Sequence, residues 1–215
     1  MYILYARPGS GSVVCEALLE LSGAAYAIET VERDASGAFP ESFRALNPMA
    51  QVPVLVLPGG PVMTESAAIA FHLADLYPQM GMAPGLSDPK RADYLRWMLF
   101  LATTIYTDDL RMYYPARYTD DPHGAAAVKS AAIRQMDTDF EIYANALGAG
   151  PFILGETMSA VDIYAAMLVT WMPDVKACLA KYPVVKAMYN RVAAVPAIGK
   201  VFARNRMDPT PFSSH

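Results

Sequence analysis

The sequence predicts two domains of different class: an α/β domain over residues 1–78 with the element order βαβαββα, and an all-α domain over residues 88–215, with a linker at 79–87 between them. Three observations predict this division. Every run that reads as a strand lies before residue 64. The stretch PQMGMAPGLSD, residues 78–88, is rich in Pro, Gly and Met and almost without periodicity. Beyond it, apolar residues recur at helical spacing and no comparable strand signal follows. A chain of 215 residues is long enough for one large domain or two small ones.

Taken in order, Tyr2–Ala6 is a β-rich run, and Arg7-Pro-Gly-Ser-Gly-Ser12 is a turn that opens a helix from about Ser12 to Leu21. Ser-Gly-Ala leads into a second strand, Tyr26–Val31, which completes a βαβ unit with a right-handed crossover. Pro40–Leu46 is a short helix. Val54–Leu57 is an apolar strand, Pro58-Gly-Gly-Pro61 a turn, and Val62-Met63 a return strand ending in Thr64-Glu65-Ser66 and a helix. This order resembles a thioredoxin-like fold. After the linker, Tyr94, Leu95, Met98, Leu101, Ala102 and Ile105 mark one long helix between Pro89 and about Tyr114. Val128, Ala132, Met136, Phe140 and Tyr143 mark a second, from about Gly124 to Leu147. Ser159-Ala-Val-Asp162 reads as a capping box at the start of a further helix, a folding element worth about 1 kcal/mol.

Residues 47–77, NPMAQVPVLVLPGGPVMTESAAIAFHLADLY, organise the first domain. Proline at 53 removes an N–H and makes a cis bond accessible, which would turn the backbone groups of Val52 outward. Glu65-Ser66 falls at a helix start, where unpaired N–H groups and the positive end of the dipole suit a carboxylate. The Glu65 side chain suits an ammonium beside it. An extended peptide with a free α-amino-acid head matches that arrangement.

NPxxQVPVL followed by a hairpin and TES-AAI-xxHLADLY resembles the glutathione-binding half of the soluble glutathione transferases. The resemblance implies that Gln51, Val52 and Pro53 hold the backbone of glutathione, with Val52 pairing with its cysteine, and that Glu65 and Ser66 hold the γ-glutamyl head. It also implies a homodimer that pairs the first domain of one subunit with the second of the other. Residues 1–78 carry eight acids and only Arg7, Arg33 and Arg44 as bases, so backbone amides and one arginine must do most of the anion binding. Which group takes the glycine carboxylate stays open.

Glutathione chemistry depends on the thiolate, and a thiol with a pKa of about 8.5 is only a few per cent ionised at neutral pH. Lowering it by two units needs about 2.7 kcal/mol. One hydrogen bond to a charged acceptor supplies roughly 1.5–3 kcal/mol and a helix N-terminus about 0.3–1, so one well-placed hydroxyl suffices. Pro8-Gly9-Ser10 resembles the Pro-Gly-Ser of serine-type transferases, which makes Ser10 the first candidate. Ser12, otherwise suited to capping the helix, and Tyr5 are the alternatives. The loop also resembles the beta-type pattern Tyr-x-Pro-Gly-x-Cys-Ser, but Gly11 stands where that family has cysteine, which argues against mixed-disulfide chemistry there. Cys15 reads as a small buried hydrophobe.

The small-molecule electrophile is expected between the domains, against the first long helix, which presents Trp97, Tyr106, Arg111, Tyr113 and Tyr114. Tyr106 falls where beta-type enzymes carry a second-sphere histidine, and reads equally as a leaving-group donor or as aromatic packing. His72 reads as structural. No pair among His72, His123 and His215 has metal-ligand spacing, and no metal is expected.

Composition narrows the classes further. With 54% hydrophobic and 18% charged residues the chain is globular. A formal net charge of −4 without a Lys/Arg cluster argues against nucleic acid. No apolar run approaches the ~20 residues of a membrane span. Cys15 and Cys178 form no redox or metal spacing, and the N-terminus lacks a leader pattern, so a cytoplasmic setting is expected. The sequence thus reads as a glutathione transferase acting on small apolar electrophiles. A glutathione-dependent isomerase or a disulfide or peroxide reductase is one alternative, and a non-catalytic ligand-binding or assembly module another.

Overall fold

The computed structural model describes residues 1–207. Residues 208–215, including His215, lie outside the described residues. Contacts divide the chain into two compact units, one comprising Met1–Gly85 together with residues 193–207, the other Leu86–Val192. The C-terminal stretch thus packs with the first unit, whereas the sequence reading gave everything from 88 onward to the helical domain.

The first unit holds β1 (Tyr2–Ala6), α1 (Ser12–Ser22), β2 (Tyr26–Thr30), α2 (Glu41–Leu46), β3 (Val54–Val56), β4 (Val62–Met63) and α3 (Ser66–Leu76). The sheet order is β2-β1-β3-β4. β1 runs parallel to β2, as a crossover through α1 requires, while β3 and β4 are antiparallel to their neighbours. This small mixed sheet with helices is the thioredoxin-like arrangement. Alternation along β1 sends Leu4 into a fully buried position and Tyr5 to the opposite face. There the Tyr5 ring packs 5.9 Å from Phe43 of α2, beside a cluster of Val31, Phe39, Phe43 and Val54.

The second unit is helical among the described residues: α4 (Arg91–Phe100), a π-helical segment (Leu101–Ile105), α5 (Tyr106–Tyr113), α6 (Ala125–Leu147), α7 (Ala160–Val169), α8 (Val175–Lys181) and most of α9 (Pro183–Ala193). All ten residues of α7 are buried, which makes it the central helix of this unit. Trp97 is a core residue, set edge-on to Phe100 and Tyr143. α10 (Pro196–Arg204) returns to the first unit and buries Ile198, Val201 and Phe202, with α1 as its main neighbour.

The capping box at α7 forms as its sequence spacing suggests. Ser159 N–H and Oγ donate to Asp162 Oδ2 at 2.8 and 2.9 Å, and Ile153 N–H donates to Oδ1 at 2.9 Å. No helix among the described residues is long and apolar enough to cross a membrane.

Candidate functional site

Sheet register brings three loops of the first unit to one edge. Tyr5 pairs with Val54 and Leu55 with Met63, so the end of β1, the start of β3 and the end of β4 are neighbours. The Arg7–Gly11 loop, the Gln51–Pro53 turn and Glu65-Ser66 therefore share that edge. Cys15 Sγ, in the first turn of α1, lies 3.8 Å from the carbonyl of Ser66 at the first residue of α3.

Ser10 sits just before α1, partly exposed. Its Oγ donates to the Arg7 carbonyl at 2.7 Å and lies 2.8 Å from Ser12 Oγ. Ser12 is fully buried, and it is the first helical residue and not the cap. Gly11 occupies the cap position, with no side-chain capping bond, and the Ser12 hydroxyl turns back to the Arg7 carbonyl at 3.2 Å. Of the three hydroxyl candidates, Ser10 has the accessible helix-start position, Ser12 lies beneath it, and Tyr5 packs on α2. Gly9 adopts φ +68°, a backbone conformation that favours glycine, although a Cβ there would make only an ordinary contact with the Asn205 carbonyl at 3.6 Å.

The Val52–Pro53 bond is cis. Among the described residues no backbone hydrogen bond engages Val52. The turn before it is built by Asn47, buried, whose Nδ2 donates to the Gln51 carbonyl at 2.8 Å and whose Oδ1 accepts from Met49 N–H at 3.1 Å. Asn47 also accepts from Ala50 N–H through its carbonyl at 2.8 Å. The sequence reading quoted Asn47 within its motif but gave it no role. The signal was there, since Asn before Pro favours a side-chain-built turn.

Glu65 is exposed and held at φ +66°, ψ +108°, as the N-cap of α3, with its carbonyl accepting from Ile69 N–H at 2.9 Å. Its carboxylate makes no capping bond to the helix. Ser66 is buried. Arg7 and Arg33 approach the same Phe39 ring, with guanidinium carbons 5.7 and 4.1 Å from its centroid. Arg33 also donates to the Gly37 carbonyl at 2.6 Å.

Cys15 is fully buried and burial pushes its thiol far above the ordinary range. A thiol so protonated is no nucleophile.

In the second unit, Tyr106 and Tyr113 lie seven residues apart on one face of α5 and both reach Trp171. The Tyr106 ring is edge-on to the indole at 5.1 Å, and Tyr113 Oη donates to the Trp171 carbonyl at 2.9 Å. Arg111 and Tyr114 are not part of that group. Arg111 Nη1 pairs with Asp108 Oδ1 at 2.7 Å, and the Tyr114 ring lies 4.0 Å from the Arg117 guanidinium. Trp171 was not foreseen, because it follows α7 in a turn where no periodic pattern reaches it.

Two buried carboxylates also escaped the sequence reading. Asp109 is 1% exposed with both oxygens unpartnered, and burial, reinforced by the neighbouring Asp108 charge, pushes its pKa up to about 8. Asp139 on α6 is raised by burial, although Gln135 donates to it at 3.1 Å. Among the described residues no group of three His, Cys, Asp or Glu is arranged to hold a metal ion.

The fold defines the class, a thioredoxin-like unit followed by a helical one. Residues 12–76 match the family model described as the glutathione S-transferase N-terminal domain, and residues 108–205 match the C-terminal domain model. A GST-like protein of Escherichia coli K12, YncG, described as uncharacterized, is 29% identical over 96% of this chain and 100% of its own length. Glutathione S-transferase GstA of Escherichia coli O157:H7 is 25% identical over 91% and 94%. A sphingomonad glutathione S-transferase solved in complex with glutathione is 26% identical, covers 95% of this chain and 98% of its own, and superposes with a TM-score of 0.81. The chain belongs to the glutathione S-transferase family.

Proposed function

We propose that this protein is a glutathione transferase in which the Ser10 hydroxyl stabilises the thiolate of glutathione for attack on a small apolar electrophile. The observation that carries the reading is the placement of Ser10: a partly exposed hydroxyl just before α1, on the sheet edge that also holds the cis Val52–Pro53 turn and Glu65. Val52 offers its backbone to the cysteine of the tripeptide, and the start of α3 takes the γ-glutamyl carboxylate while Glu65 takes the ammonium. Arg7 and Arg33 supply positive charge for the glycine carboxylate. Rate is gained from thiolate formation and from orientation. Reduction through an enzyme cysteine finds no support in Cys15, which is buried and protonated.

The Tyr106, Tyr113 and Trp171 group supports an aromatic lining for the electrophile, with Tyr106 facing the indole. A homodimer is part of this reading. It is supported by Leu95 and Leu99, exposed one turn apart on α4, and by exposed Val62 and Leu76 in the first unit. Sedimentation at micromolar concentration should give a dimer, and a monomer alone would remove that claim.

Ser10→Ala tests the catalytic reading. The hydroxyl interacts more strongly with the thiolate than with the thiol, so its loss should raise the pKa of bound glutathione by about one to two units. Affinity should change little, and activity should fall most at neutral pH and recover in part at alkaline pH. The ultraviolet absorbance of the bound thiolate, titrated against pH, reports this directly. A curve identical to that of the parent would take the role from Ser10.

A further inference from the structure

Three donors reach the single carbonyl oxygen of Arg7: Ser10 N–H at 3.3 Å, Ser10 Oγ at 2.7 Å and Ser12 Oγ at 3.2 Å. A carbonyl has two lone pairs, so one of these donors is in excess. The Ser10 hydroxyl is the partly exposed one, while Ser12 is fully buried and has no route to a ligand. The Ser10 oxygen is held independently of its proton by Ser12 N–H at 3.3 Å, and it can also accept the Ser12 hydroxyl proton across 2.8 Å while that proton is not on the Arg7 carbonyl.

We infer that Ser12 is a positioning residue that frees the Ser10 hydroxyl: when Ser10 turns its proton from the Arg7 carbonyl to the sulfur of glutathione, the Ser12 proton takes its place on that carbonyl. This rests on Ser10 being the thiolate donor. The new bond from Ser10 to sulfur replaces the bond between the two hydroxyls, so the total number of hydrogen bonds is kept. Arg7 O keeps two donors, the Ser10 oxygen stays anchored by the Ser12 amide at the start of α1, and no buried acceptor is left bare. Without the Ser12 hydroxyl, Arg7 O depends on Ser10 for its one hydroxyl donor. Ser10 is then divided between carbonyl and sulfur.

The test is a double-mutant cycle on the full chain, using reduced glutathione and its thiol-free analogue S-methylglutathione as probes. Ser12→Ala should raise the pKa of the bound thiol by about half to one unit, equivalent to a three- to tenfold lower thiolate fraction at neutral pH. It should leave S-methylglutathione affinity and the unfolding midpoint at parental values. In a Ser10→Ala background the same substitution should move none of these, since no hydroxyl remains to be freed. If Ser10→Ala shifts the curve and Ser12→Ala does not, the relay is wrong while the Ser10 reading stands. If Ser12→Ala shifts it by the same amount with or without Ser10, or if it weakens S-methylglutathione binding as well, Ser12 acts as donor or as scaffold and the inference is overturned. A curve unmoved by Ser10→Ala ends the Ser10 reading, and the relay with it.

Discussion

Glu65 combines two demands at one residue. Its backbone lies in the left-handed half of conformational space, at φ +66°, which costs a side-chain-bearing residue about 1–3 kcal/mol, while its exposed carboxylate makes no bond that stabilises α3. Stability and binding should therefore move in opposite directions on Glu65→Gly. Relief of the backbone should raise the chemical-unfolding free energy by about 1 kcal/mol. Loss of one charge-assisted bond to the ammonium should weaken glutathione roughly ten- to a hundredfold. Glu65→Ala should show the affinity loss without the stability gain. Calorimetric titration beside urea unfolding separates the two, and equal affinity for parent and variants would move the γ-glutamyl site elsewhere. Asp109 is a second residue with a conflict. Its folded pKa of about 8 lies above the unfolded value of about 3.9, so the folded state binds the extra proton between those values. Stability must then decline as pH rises from about 4 to about 8, by up to roughly 1.4 kcal/mol per unit, and level off above. Asp109→Asn should flatten that slope, as unfolding free energies measured from pH 4 to 9 will show. Neither conflict was legible in the sequence, because a positive φ and a missing hydrogen-bond partner are properties of the assembled neighbourhood.

At the scale of elements, the part of the sequence that could be read was the part governed by local rules. The capping box was visible because Ser159 and Asp162 stand three apart before an apolar run, and the same spacing predicts how it fails. Asp162 accepts from Ile153 N–H, Ser159 N–H and Ser159 Oγ. Its loss strands buried donors from two segments, and Asp162→Ala should cost about 3–5 kcal/mol. Ser159→Ala should cost only about 1. Urea midpoints that rank the two in reverse would contradict this. The long helix beginning near Pro89 shows where the local rule stops. A regular 3.6-residue period carries the pattern to Tyr114, but the chain widens into a π-helical segment at Leu101–Ile105. Thr103 within it and Thr107 just after it donate their hydroxyls four residues back, to the Leu99 and Thr103 carbonyls, at 2.8 and 2.9 Å. A wider turn shifts the phase of everything after it, so the faces assigned to Arg111 and Tyr114 could not be read from spacing carried through the segment. The hairpin and the cis-proline turn, by contrast, announce themselves through Pro, Gly and Asn.

For the molecule as a whole, the hardest feature to read was the return of the chain to its own beginning. Glu16 on α1 is 2% exposed, and burial raises its pKa against the pull of Asn205 and Arg204. Asn205 Nδ2 donates to Glu16 Oε2 at 2.7 Å, and Arg204 Nη2 lies 2.9 Å from Oε1 and 3.2 Å from Glu20 Oε2. No periodicity links residue 16 to residue 204. Arg204→Ala should leave that carboxylate short of compensation and cost about 2–3 kcal/mol at pH 7. The deficit should shrink as pH falls, because a protonated Glu16 no longer needs the cation. Chemical unfolding at pH 7 and pH 5 tests the sign, and an equal loss at both would assign the effect to packing of the arginine stem.

A protein is made from one end, and that order bears on α10. Residues 193–207 leave the ribosome only after the whole of Leu86–Val192, so the sheet and α1 must wait, with the α1 surface that α10 covers still bare, while the helical unit is synthesised. The thioredoxin-like unit is therefore begun first and finished last. A chain that stops before Pro196 leaves the α1 surface of that first-made unit uncovered.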